Sequence, residues 1–135
     1  KVALGQFHQE KAHVVWMFQN DRGGLHLDDQ VDGRTRRYHP LITEEDLRGR
    51  WHRIEVQARW SPDDDGYFRV WVNGSQKVDY AGRTMTAKRV YFKYGLYRSF
   101  ISRFRDATGE HAVPTQTVLF ANVRRAESRA LRAPQ

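Results

Sequence analysis

Residues 91 to 98 read Tyr91-Phe92-Lys93-Tyr94-Gly95-Leu96-Tyr97-Arg98. In an extended strand, side chains alternate between faces. Tyr91, Lys93 and Tyr97 then share one face with Gly95 between Lys93 and Tyr97, while Phe92, Tyr94 and Leu96 point the other way. One face carries two phenols and an ammonium, and the other is apolar. A strand glycine often marks close approach of a ligand to the backbone, so the polar face has the look of a groove floor with a proton donor beside it. A second constellation is Gly5-Gln6-Phe7-His8-Gln9. Period two sends Gln6 and His8 one way and Phe7 into the core. A carboxamide beside an imidazole suits acid–base work. The plain alternative is a pair of polar residues on the wet side of a strand.

These side chains need strands to hold them. Alternating segments of six to ten residues, broken by turn signals, predict an all-β fold. Strands are expected over 2–9, 13–20 and, more weakly, 25–31, with 34–40 a loop or edge. Thr43 followed by Glu44, Glu45 and Asp46 has the pattern of a short capped helical turn. Residues 51–60 place Ile54, Val56, Ala58 and Trp60 on one face. Ser61 to Gly66 is turn chemistry. Strands over 67–72 and 76–80 flank Asn73-Gly74, the strongest hairpin signal in the chain. Further strands are predicted over 89–98 and 117–124, the latter with Leu119, Ala121 and Val123 on one face; residues 100–114 read as a connection. About eight strands without a long helix imply an antiparallel β-sandwich of jelly-roll type. Such sandwiches often have one concave sheet, a natural bed for a linear polymer.

The length of 135 residues suggests one domain, and the apolar and aromatic content can support a core. No apolar run is long enough for a transmembrane helix, and no signal peptide is visible. Cysteine is absent, so disulfides and thiolate metal sites are excluded. The net charge of +7 favours a polyanionic partner. Arginine outnumbers lysine 18 to 5, and its planar fork suits carboxylates and phosphates; a coding bias toward arginine is the competing explanation.

The two constellations together resemble signature strands of the jelly-roll polysaccharide lyases. Alginate lyases of that fold carry Gln-Ile-His and Tyr-Phe-Lys-Ala-Gly-x-Tyr-Asn-Gln strands, matched here by Gln6-Phe7-His8 and Tyr91 to Ser99. The pattern is closer to the glucuronan-lyase and heparin-lyase-I-like branch. Trp51 to Ser61, Val70-Trp71-Val72-Asn73-Gly74 and Val78-Asp79-Tyr80-Ala81-Gly82 follow that branch's order. The resemblance implies β-elimination on a uronic-acid polysaccharide. Gln6 would donate to the substrate carboxylate, and His8 would be the base or a carboxylate neighbour. Tyr97 would be the acid, and in a syn elimination also the base. Lys93, Tyr91 and Arg98 would bind substrate. No metal is required, although relatives with a structural calcium make one conceivable here. Partners would be an anionic polysaccharide, with neither nucleic acid nor membrane; the chain would be secreted or periplasmic. Oligomeric state is left open.

Arg98-Ser99 replace the Asn-Gln of alginate lyases, which points to a different or more acidic sugar. The family's Arg- and Glu-bearing strand upstream of Gln-x-His has no counterpart after Lys1. The expectation is a lyase-like domain over 1–125, the C-terminal part of a longer domain with an unpaired sheet edge, and a polar tail over 126–135. Trp16, Trp51, Trp60 and Trp71 are expected in the core rather than stacked on sugars. Asp63-Asp64-Asp65-Gly66 reads as a solvated turn before a calcium loop. His13, His26, His39, His52 and His111 have no zinc spacing and default to surface or loop, with His39 able to reach the groove. The cluster of Arg34, Arg36 and Arg37 is either a polyanion contact or a solvated loop. A non-catalytic carbohydrate-binding jelly roll and a nucleic-acid binder are the rival classes; no oligonucleotide-binding or RNA-recognition motif supports the second.

Overall fold

The computed structural model describes residues 1–21, 23–35 and 37–127. Eight strands form two antiparallel sheets, the all-β class that alternation predicted, although residues 37–43 supply one of the eight in place of 117–124. β1 (Val2–Gln9), β2 (Val14–Asp21), β3 (Gly24–Asp29), β4 (Arg37–Thr43) and β8 (Val90–Arg98) make a five-stranded sheet in the order β4-β3-β2-β1-β8. β5 (Ile54–Arg59), β6 (Tyr67–Val72) and β7 (Ser75–Ala81) make a three-stranded sheet. The result is an all-β sandwich.

Aromatic stacking joins the layers. Trp16 of β2 lies nearly parallel to Phe68 of β6, ring centroids 4.3 Å apart. Phe7 of β1 touches Phe68 at 5.4 Å, Trp60 at 5.3 Å and Phe92 of β8 at 4.7 Å. Such contacts add to the burial of large apolar surface. Val70, Leu27 and Val15 complete a dry interior.

Local chemistry explains the connections. Asn73 and Gly74 both take positive φ, the geometry of the tight hairpin turn. Thr43 caps α1 (Glu44–Leu47) by accepting from the Asp46 amide. β4 occupies the sheet edge, where Pro40 costs no ladder hydrogen bond. Gln9 is fully buried; its Oε1 accepts from the amides of Thr86 (2.6 Å) and Ala87 (2.7 Å). That clamp fixes the run-in to β8 beside β1.

Several expectations are corrected. Residues 117–124 form no strand: the segment is extended in sequence pattern, but no neighbouring edge pairs with it among the described residues. The 100–114 connection contains α2 (Ile101–Thr108). Its N-cap is Phe100, with no side-chain capping bond, so the usual start signal was missing. Trp16 is core, and Trp60 packs against the core. Trp51, however, precedes β5 and is 65% exposed, and Trp71 alternates to the outer face of β6 between buried Val70 and Val72. Of the tail over 126–135, residues 128–135 lie outside the described residues, as does Arg36.

Candidate active site

The β1–β8 ladder fixes which side chains meet. Its register sets His8 opposite Tyr91, Gln6 opposite Lys93, and Ala3 opposite Tyr97. Directly opposed residues have Cβ atoms about 4.5–5.5 Å apart. Phe7 and Phe92 share the other, core-facing side. Five of the six residues singled out in the sequence therefore stand on one face of one strand pair. Arg98 is the exception: it pairs with buried Val2, and alternation turns it away from Tyr97.

Gly5 and Gly95 shape this pair. A Cβ on Gly5 would come within 3.1 Å of the Phe92 ring, so the bare backbone lets Phe92 settle against β1. Gly95 has φ +143°, a region closed to most side chains. It lies where β8 carries four residues, from Tyr94 to Tyr97, against the three from Gly5 to Ala3 on β1. The glycine therefore serves an irregularity in the ladder.

The His8 ring stacks on Tyr91 with centroids 5.5 Å apart, and its Nδ1 lies 2.8 Å from the Gln9 carbonyl oxygen. A carbonyl can only accept, so Nδ1 is the protonated nitrogen and a neutral ring turns a lone pair out at Nε2. Gln6 is 9% exposed, and its amide donates to the Met17 sulfur at 3.0 Å. Thioether sulfur is a weak acceptor, so that donor gains by exchanging it for a carboxylate. Tyr97 is 61% exposed, and Lys93 is also exposed.

The face is elongated. His8 is five positions along β1 from Ala3, beside Tyr97, which at ~3.3 Å per residue is roughly 16 Å. The structure thus groups Gln6 with Lys93 and His8 with Tyr91, with Tyr97 on the far side of Gln6. It does not bring the imidazole and the Tyr97 phenol onto one point. A cavity of about 680 Å³ lies away from this group, on the inner side of the large sheet, lined among others by Asp29, Arg37, Tyr80 and Arg83. The candidate site is an open strip.

Sequence reasoning missed the strip's continuation onto β2 and β3. Asp28 is fully buried there, its Oδ2 accepting from Gln19 (2.6 Å), Gln30 (2.7 Å) and Thr35 (3.1 Å). His26, 7% exposed and 3.1 Å from the Asp21 carboxylate, is also buried, contrary to the surface default. Alternation alone assigns these residues to the wet face; Gln30 and Thr35 of the β3–β4 loop reach over Asp28, and the Tyr38 ring of β4 packs against His26. His39 sits opposite core Leu27 on the inner face and does not reach the strip. Burial lowers its pKa, more than Asp29 raises it. Burial likewise raises that of Asp29, although the Val31 amide and Arg37 oppose the shift. Arg37, itself exposed, lies over the Tyr80 ring. Asp65 is engaged by Ser61 and Arg59. No group of three His, Cys, Asp or Glu side chains is placed to hold a metal ion among the described residues.

The molecule is an all-β antiparallel sandwich with a carboxamide, an imidazole, an ammonium and a phenol along one strand pair. A family model described as polysaccharide lyase matches residues 1–124, and the chain belongs to that family. Lyase-type action on a polysaccharide goes with that membership. Neither the curated proteins nor the solved structures gave a match. No helix among the described residues is long and apolar enough to cross a membrane.

Proposed function

We propose that the chain cleaves a uronic-acid-containing polysaccharide by β-elimination, in the manner of the glucuronan-lyase and heparin-lyase-I-like branch. The observation that carries this reading is the β1–β8 register, which sets Gln6 and Lys93 side by side between Tyr97 and the His8–Tyr91 pair.

The chemistry follows from that order. The C5 proton of a uronate is weakly acidic until its carboxylate is neutralised. Lys93 supplies a cation and Gln6 a donor held by a weak acceptor. Tyr97 then takes the C5 proton as phenolate and returns a proton to the leaving O4. The C5–H and C4–O4 bonds break, and a C4–C5 double bond forms. A single phenol doing both jobs implies a syn elimination. His8 and Tyr91, further along the strip, hold the neighbouring sugar, where the Nε2 lone pair accepts from a hydroxyl. The positive charge of the chain draws in the polyanion. A polymer of this kind lies outside cells, which supports a secreted or periplasmic location.

The near-burial of Gln6 favours a second reading, a carbohydrate-binding domain without turnover. One experiment separates them. The chain is incubated with glucuronan, alginate, heparin and a neutral glucan while the ultraviolet absorbance of unsaturated uronate is followed. A rise with a uronate polymer and none with the glucan is expected. Binding of a uronate polymer with no rise makes the domain a binder.

A further inference from the structure

The cavity of about 680 Å³ opens between the two sheets, on the opposite face of the large sheet from the β1–β8 strip. Distant parts of the chain build its wall. Asp29 ends β3, Arg37 begins β4, Tyr80 and Arg83 lie at and just beyond the end of β7, and Asp63 and Asp64 belong to the β5–β6 turn. Its size is that of a small-molecule site.

Asp29 is the wall residue held furthest from water. It stands opposite Trp16 of the core, so its side chain points between the sheets, and it is 4% exposed. Its Oδ1 accepts from the Val31 amide at 3.1 Å, while Oδ2 accepts no hydrogen bond among the described residues. A carboxylate taken out of water with one oxygen idle is costly, and burial raises its pKa. A cation carrying N–H donors would relieve both penalties.

The other charges agree. Arg83 is paired with Asp32, and Arg37 lies 5.5 Å from the centre of the Tyr80 ring. Asp29, Asp63 and Asp64 then share the wall with one further guanidinium, that of Arg37. The local excess is negative in a chain whose net charge is +7. No group of three His, Cys, Asp or Glu side chains is placed to hold a metal ion among the described residues, which turns the choice to an organic cation.

We propose that this cavity binds a small organic molecule through a primary ammonium, which donates to Asp29 Oδ2 and is flanked by Asp63 and Asp64. An ammonium has three donors and no acceptor, which suits a wall rich in carboxylate oxygen. Polyamines and amino sugars both carry that group. The inference rests on the cavity alone and does not depend on the proposed reaction.

The test titrates the 135-residue chain in a calorimeter, at low ionic strength, with spermidine, glucosamine and N-acetylglucosamine. Binding of spermidine or glucosamine is expected, and none of the acetylated sugar, whose amide is uncharged. Spermidine alone identifies a polyamine site, and glucosamine alone an amino-sugar site. Asp29→Asn keeps the shape and an acceptor for the Val31 amide but removes the charge. It should weaken binding by about tenfold or more. Asp63→Asn with Asp64→Asn, on an exposed turn, should weaken it by roughly threefold. That turn variant decides the matter should Asp29→Asn fail to fold. The proposal is overturned if neither amine binds at millimolar concentration, or if N-acetylglucosamine binds equally well. Wild-type affinity in the deciding variant overturns it too, because the amine would then sit elsewhere.

Discussion

His8 and Tyr91 stack across the β1–β8 ladder with centroids 5.5 Å apart, while the Nδ1 proton of His8 is tied to the Gln9 carbonyl. This pair is held at one end of a strip whose other end is Tyr97. Gln6 and Lys93 occupy the middle. Binding and proton transfer are therefore assigned to different stretches of the same two strands.

Replacing Tyr97 by phenylalanine is expected to lower kcat by about 10²–10⁴-fold, the usual contribution of a positioned acid–base group. Tyr97 is 61% exposed and makes no hydrogen bond through its hydroxyl among the described residues, so stability and KM should hardly change. Initial rates of unsaturated-uronate formation check this. Unchanged turnover removes Tyr97 from the reaction.

His8→Ala separates the two roles open to the imidazole. If His8 holds the neighbouring sugar, KM rises and kcat falls by less than in Tyr97→Phe. A collapse of kcat that added imidazole restores would make His8 the base and the elimination two-residue.

Gln9→Leu tests how the site strands are held together. Removing the buried carboxamide leaves the amides of Thr86 and Ala87 without their acceptor. Each such loss costs about 1–3 kcal/mol. A lower denaturant midpoint is expected, with faster amide exchange at 86–87 and along β8. Unchanged stability would mean that the clamp is dispensable.

His39 predicts an acid-side loss of stability. Burial lowers its folded pKa below the ordinary 6.5. The unfolded chain therefore binds more protons around and below that pH, and the contribution present above 6.5 is lost as pH falls toward the folded value. His39→Leu should shrink the drop in melting temperature between neutral and mildly acidic buffer. An identical drop in both proteins would refute the assignment.

Much of the fold was legible because period two has a direct physical cause. β1 and β6 begin and end where alternation and turn residues put them, and Asn73-Gly74 turns as its φ preferences require. Helix α2 was illegible because it lacks a polar N-cap and buries nothing. Trp51 and Trp71 misled because side-chain size predicts burial only when a facing layer exists to receive it. The 117–124 stretch carries a strand's pattern without a strand's partner.

By itself, the order of residues determined which side chains share a face: Gln6 with His8, and Tyr91 with Lys93 and Tyr97. Alternation is a local property of extended backbone and needs no knowledge of distant parts. Only the tertiary structure decided that β1 lies beside β8, in a register that puts Gln6 against Lys93 and keeps His8 away from Tyr97. Register between strands some eighty residues apart depends on contacts such as Phe7 on Phe92 and Gln9 on residues 86–87, and no local pattern encodes those distances.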